Sequence, residues 1–501
     1  MSRTRRCGVL LHVSSLPGRH GIGDFGPTAH EFIDFLAAAG QRLWQMLPLT
    51  PINAGAGNSP YSSYSAFAGN TLFVSPDLLV RQGILHARDM AHPPFFSKDR
   101  VDYGAAAAWR EKLLEQAFDN VFPGLRTDRG FEAFCNKEAF WLDDYCLFKA
   151  LKREQGGASW LSWPRGIRLR EKGALTAARE RLGYDILRER YAQYLFSQHW
   201  QSLRDYAAKR GVDLLGDVPI YVSLDSSDVW SHREIFELDD EGLPIYCAGA
   251  PPDYFSETGQ MWGNPVYDWD RQERDGYSWW QERLRHEASR FDMLRLDHFR
   301  GFCGFWQVPA CEPTAENGLW VPGPGAKFFA AMLENVPGLS ILAEDLGVIT
   351  EDVVALMDRF GFPGMKILQF AFSPDMGKNF YIPHNIPTHS AVYTGTHDNN
   401  TIRGWFLEDL DDEGRKRFCD YAGRGVAEGE VADTMIRMAL GSVAETCVIP
   451  MQDYLNLGAD GRMNMPGVAG GNWGWRMGPE AAREDLAARM RFLAGIYGRI
   501  S

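Results

Sequence analysis

Eight short apolar runs, separated by stretches with helical spacing, limit what this chain can fold into more than any other feature. The runs are Gly8–Val13, Arg42–Leu49, Asp213–Val222 and Phe291–Phe299, then Leu339–Gly347, Gly364–Phe372, Ala391–Asp398 and Thr446–Leu455. Continuous apolar runs of this length suit strands buried on both faces, as in a parallel sheet. Between them, Ala29, Phe32, Ile33 and Leu36 recur at helical spacing after Thr28 and Glu31, which read as a capping box. Thr350 reads as the cap of a second helix, with Val353, Leu356, Met357 and Phe360 as its apolar face and Gly361 as its stop. Strand–helix alternation repeated eight times predicts a (β/α)8 TIM barrel of the α/β class. A doubly wound sheet is the alternative, but no GxGxxG or Walker loop follows the first run.

Residues 1–501 then form one catalytic barrel with two long insertions. Residues 50–196, after the second strand, read as mostly helical, with Trp109, Leu113 and Ala117 at fourfold spacing. Residues 223–277, after the third, are rich in Pro, Gly and aromatics and read as an aromatic-rich loop subdomain. Both insertions are expected at the C-terminal face of the barrel, where loops build active sites. The last segment, Pro479–Arg499, reads as a helix, and no C-terminal β-domain is expected.

Composition excludes several classes of function. A formal charge of −13 argues against nucleic acid, which needs clustered Lys and Arg. After the basic Met1–Arg6, the apolar Cys7–Leu11 is too short for a signal peptide core or a membrane span. The eight cysteines are scattered with no CxxC pair, so neither a zinc ribbon nor a disulfide framework is expected, and a reducing cytoplasm is the simplest location. Aromatic residues make up 13% of the chain, enough to serve both a core and stacking on sugar rings.

In such a barrel the C-terminal strand ends carry the chemistry. Asp217 ends the third strand, Asp297 the fourth, Glu344 and Asp345 the fifth, and His397 and Asp398 the seventh, with His12 and Arg295 nearby. Carboxylates therefore converge on one mouth. Glycosidic-bond cleavage uses such a set: one carboxyl protonates the leaving oxygen, and a second attacks the sugar or activates water. Repulsion between them keeps one protonated. Arg295, two residues from Asp297 and on the same strand face, favours the charged, nucleophilic form of Asp297. Mg²⁺ or Mn²⁺ binding is the other use of converging carboxylates. However, no phosphate cradle, HExxH or paired-His motif accompanies them, so no metal is expected. His384 and His389 read as loop residues, and His12 alone as a core histidine.

RLDHFRGF (Arg295–Phe302), AEDLG (Ala343–Gly347) and THDNNT (Thr396–Thr401) resemble the catalytic segments of the 4-α-glucanotransferases, or amylomaltases, distant relatives of the α-amylases. The resemblance extends through SLPGRHGIGDFG (Ser15–Gly26), SPYSSYSAFAGN (Ser59–Asn70) and GDVPIYVSLDSSDVW (Gly216–Trp230). It continues in GAPPDYFSETGQMWGNPVY (Gly249–Tyr267) and GNWGWR (Gly471–Arg476). The resemblance implies Asp297 as nucleophile, Glu344 as general acid/base and Asp398 as the third, transition-state-stabilising carboxylate. Strand parity alone does not separate Glu344 from Asp345. It further implies sugar contacts or a supporting polar shell from Tyr61, Asp217, Arg295, His298 and His397. It also implies an acceptor-side aromatic loop carrying Tyr254 and Phe255, followed by Gln260 and Trp262. The expected activity is retaining transfer of an α-1,4-glucan segment between maltooligosaccharides or starch chains, without a cofactor. An α-1,4-glucan hydrolase on the same scaffold and a non-catalytic glucan-binding protein are the alternatives.

Overall fold

A computed structural model describes residues 5–252, 256–468 and 470–500. It contains twelve strands: β1 (Arg6–Leu10), β2 (Leu43–Gln45), β3 (Asp213–Val218), β4 (Tyr246–Ala250), β5 (Gln260–Pro265) and β6 (Met293–Leu296). The rest are β7 (Gly304–Pro309), β8 (Leu319–Pro322), β9 (Ile341–Ala343), β10 (Gly364–Ile367), β11 (Ser390–Tyr393) and β12 (Thr446–Pro450). Eight of them close a parallel barrel in the order β1-β12-β11-β10-β9-β6-β3-β2, and each lies within or overlaps one of the eight apolar runs. The strands are shorter than the runs because the barrel's hydrogen bonding ends where the turns at the strands' C-terminal ends begin.

The register places chemistry directly. Asp217 on β3 pairs with Arg295 on β6, and Arg295 in turn with Leu342 on β9. Acid and base therefore face each other across adjacent strands. Where β1 meets β2 the backbones approach closely: a Cβ built on Gly8 would lie 2.3 Å from the Leu43 carbonyl oxygen. Only glycine fits there.

The helix after β1, Pro27–Ala38, buries Ala29, Phe32, Ile33 and Leu36 as expected. Its start differs. Pro27 occupies the first helical position behind Gly26, and the Thr28–Glu31 capping box does not form. Proline needs no partner for an N–H it lacks, and the Asp24 carboxylate accepts the Gly26 N–H at 2.8 Å. Thr350 does occupy the cap position of Glu351–Phe360, with Gly361 left-handed at φ 65°. Its hydroxyl makes no cap bond to the backbone. The last helix is Glu484–Ile496, shorter at both ends than expected.

Residues 50–196 carry the helices Tyr103–Val121 and Ala139–Glu154 and the start of Gly183–Arg210. Buried Arg110 joins this region to the first barrel loop, donating to Asp24 at 2.8 Å and to the Val74 carbonyl at 2.8 Å. Sequence periodicity does not reveal a second sheet, antiparallel with order β5-β4-β7-β8, which joins residues that follow β3 to residues that follow β6. Among the described residues no helix is long and apolar enough to cross a membrane.

Replacing Gly8 with alanine is expected to cost about 1–3 kcal/mol, because the barrel cannot widen locally without breaking the β1–β2 register. Urea denaturation of the variant against the parent checks this; an unchanged midpoint would contradict the close approach.

Candidate active site

A cleft of about 640 Å³ opens at the C-terminal end of the barrel, and Tyr61, Trp262, Asp297, His298, Glu344, His397 and Asp398 line it. Beneath it lies a buried ionic cluster. One nitrogen of the Arg295 guanidinium donates to both Asp217 oxygens at 2.7 and 2.8 Å, and the other lies 2.9 Å from Asp297 Oδ1. The Tyr61 hydroxyl donates to Asp217 Oδ2 at 2.7 Å. Burial works against the Arg295 charge, but the carboxylates of Asp217 and Asp297 outweigh it and raise the guanidinium pKa well above its ordinary value. Arg295 is therefore a fixed cation bridging a sealed carboxylate and one that faces the cleft.

Glu344 follows β9, and its two oxygens accept the His298 N–H at 2.7 Å and the Leu346 N–H at 2.8 Å. Residue 298 reaches this position by adopting a left-handed backbone, φ 50°, uncommon for a residue with a side chain and typical of functional turns. Burial raises the Glu344 carboxyl to about 7; Arg295 opposes the rise, the Asp297 charge adds to it, and the two amides moderate it. Asp345 points elsewhere, accepting from Met365 N–H at 2.5 Å and from Lys366 at 2.7 Å. The structure thereby separates two acids that strand parity alone leaves equivalent.

Asp398, after β11, is oriented from a distance. Asn464 donates to its Oδ1 at 2.6 Å, Arg462 donates to its carbonyl at 2.9 Å, and His397 Nε2 lies 3.5 Å from Oδ2. The Tyr61 ring stacks on His397 with centroids 5.2 Å apart, and Trp473 packs against both. Trp262 meets the His298 ring edge-on at 4.9 Å, and burial lowers His298 to about 4, so its imidazole is neutral. Gln260 supports Trp262, accepting its indole N–H at 3.1 Å, and does not line the cleft. Tyr254 and Phe255 lie outside the described residues. His12 is buried with Nδ1 unpartnered, and His384 and His389 contact Tyr421 and Glu445 rather than the cleft. Among the described residues no group of three or more His, Cys, Asp or Glu side chains is placed to hold a metal ion.

Sequence reasoning assigned no role to Asn464, Trp473 or Tyr221, all of which line the cleft. The available signal was the Gly- and Pro-rich segment around GNWGWR, a loop long enough to return over the mouth. Asn472 closes that loop, donating to the Val468 carbonyl at 2.8 Å and accepting the Met465 N–H at 2.9 Å.

A parallel α/β barrel whose mouth gathers three carboxylates, a fixed guanidinium and aromatic walls has the architecture of an enzyme of glycosidic bonds. Comparison with known proteins narrows this class. The family model for 4-alpha-glucanotransferase matches residues 11–481. The chain is 46% identical to the 4-alpha-glucanotransferase of Synechocystis sp. over 99% of its own length and 98% of the relative's. It is 45% identical to that of Thermus thermophilus over 100% of both. The amylomaltase from Streptococcus agalactiae, solved in complex with acarbose, superposes with a TM-score of 0.96 at 39% identity, covering 99% of this chain and 100% of that one. The chain belongs to the 4-alpha-glucanotransferase family.

Because the folded Glu344 carboxyl is raised, its contribution to stability is fully present below the unfolded value of about 4.3 and is lost as pH rises through about 7. A neutral Glu344→Gln variant lacks this loss. Its stability relative to the parent should therefore grow as pH rises across that window, as read by urea melts at several pH values; a constant difference would contradict the raised carboxyl.

Proposed function

We propose that this cleft carries out retaining transfer of α-1,4-glucan segments. The observation that carries the reading is the pairing of two unlike carboxyls: Glu344, buried and held protonated near neutrality, and Asp297, ion-paired to Arg295 and open to the cleft. Glu344 gives its proton to the glycosidic oxygen while an Asp297 oxygen attacks the anomeric carbon; the C–O bond to the leaving glucan breaks and a glycosyl ester forms. The 4-hydroxyl of an incoming glucan then loses its proton to Glu344 and displaces Asp297. Two inversions keep the α configuration.

Asp398, presented by Asn464, accepts hydrogen bonds from sugar hydroxyls and supports positive charge at the anomeric centre. Tyr61, His298, His397 and Trp262 supply polar edges and ring faces around the sugar. The acarbose carried by the amylomaltase of Streptococcus agalactiae supports an oligosaccharide as occupant. Tyr254 and Phe255 are assigned to the acceptor side, where covering the glycosyl ester excludes water and favours transfer over hydrolysis. No step calls for redox or phosphate chemistry. We place the protein in the cytoplasm, a reading supported by eight cysteines that are all unpaired.

Incubation with maltotriose alone tests the assignment. Glucose plus chains longer than maltotriose, at constant total reducing ends, is the expected result; shorter products with rising reducing ends would identify a hydrolase. Asp297→Asn is expected to lose about 10³-fold or more in turnover while staying folded. The kcat/KM profile should fall above about pH 7, where Glu344 gives up its proton.

A further inference from the structure

Glu344 is followed by a largely exposed segment in which Ile349 alone packs against the core. Gly347–Thr350 forms no helix or strand, Val348 is 61% exposed, and Gly347 is left-handed at φ 82° with open space where a Cβ would point. Yet this segment begins one residue after Leu346, whose N–H binds the Glu344 carboxylate. Among the described residues, the hydrogen bonds that tie Gly347–Thr350 to another part of the chain both come from one side chain. Arg300 donates to the Val348 carbonyl at 2.6 Å and, through the same nitrogen, to the Thr350 hydroxyl at 3.0 Å.

Arg300 lies in the short helical turn Phe299–Phe302, which directly follows Asp297 and His298. Its guanidinium carbon sits 4.1 Å from the centroid of the Trp320 ring on β8, so the indole forms a wall for the cation. Trp320 is itself braced edge-on by Trp306 of β7 at 5.4 Å. The antiparallel sheet thus backs an arginine that joins the turn after Asp297 to the loop after Glu344. Two further ties run in the same direction between these segments, from the His298 N–H to Glu344 Oε2 and from the Phe299 N–H to the Glu344 carbonyl.

We propose that Arg300, backed by Trp320, is a positioning residue for the proposed reaction: it fixes the loop after Glu344 against the turn after Asp297, and so sets how the acid and the nucleophile face each other. This rests on the catalytic roles proposed above. The spacing of two carboxyls decides whether one attacks the sugar directly or leaves room for water. A misplacement of about 1 Å is enough to cost roughly 10²-fold in rate. Neither Arg300 nor Trp320 lines the cleft, so neither is expected to contribute to substrate affinity.

The test uses Arg300→Gln, Arg300→Lys and Trp320→Ala in the full chain, with thermal melts confirming that each is folded. Hydrogen–deuterium exchange of peptides spanning residues 344–352 reads the clamp without any reference to activity. Arg300→Gln should raise uptake there, with Trp320→Ala intermediate. Lysine keeps the charge but cannot lie flat on the indole and reach both acceptors, so it should restore protection only in part. On maltotriose, Arg300→Gln should lower kcat by about 10²-fold with KM changed less than about threefold. Its alkaline limb should move to lower pH, because a loosened loop admits water to Glu344 and relieves the burial that raises it most. Unchanged exchange in Arg300→Gln would overturn the clamp. Raised exchange with parental kcat and an unmoved limb would overturn positioning and leave a purely structural tie. A parent protein that fails to disproportionate maltotriose would instead sink the proposed function, while the exchange result would still stand or fall by itself.

Discussion

The site depends on a charge that has nowhere else to go. Arg295 is buried in the barrel wall, and a guanidinium in that position is stable only while acids surround it. Asp217 supplies one from the adjacent strand at a register the backbone dictates, and Asp297 supplies the other from the turn above. Tyr61 reaches the same Asp217 from the long segment after β2, so the ion cluster also fixes that segment's place over the mouth. Removing one partner would leave an unpaired charge in the wall rather than one fewer bond. The cluster therefore constrains geometry more than it adds stability.

Above that base, each carboxylate is held differently. Asp297 is held by charge, Glu344 by two backbone amides, and Asp398 by the amide of a side chain from a returning loop. These three environments have chemical consequences. Burial raises the Glu344 carboxyl, while the Arg295 charge and the two backbone amides moderate the rise, so Glu344 can exchange a proton near neutrality. A side-chain anchor leaves Asp398 partly exposed to the cleft.

Much of this was legible before any coordinates. The eight apolar runs located all eight barrel strands, because a strand buried on both faces leaves an unbroken apolar run. Asp297, Glu344 and Asp398 fall at one mouth because a parallel barrel puts the C-terminal end of every strand there. Strand parity could not choose between Glu344 and Asp345; the answer depends on Lys366, whose partner on the neighbouring strand end is a tertiary fact. The four-stranded sheet escaped notice since YCAGA and QMWGNP lack the alternation that marks a half-buried strand. Asn464 escaped because a single asparagine among glycines and prolines looks like any other turn residue. The capping box was misread because Thr28 and Glu31 have the right spacing, whereas Pro27 one residue earlier had already settled where the helix starts.

The anchoring of Asp398 by Asn464 divides the walls of the cleft between the barrel and a loop that returns over its mouth. The barrel strands must keep their register or lose the ion cluster. The loop from Met463 to Trp473 contributes to no barrel strand, yet it holds one of the three acids and lines the cleft. Its ends, Met463 and Trp473, are buried in the core, so only the exposed stretch between them can change without disturbing the packing beneath. One wall of the cleft is thus set by the barrel's register and the other by a loop pinned only at its two ends.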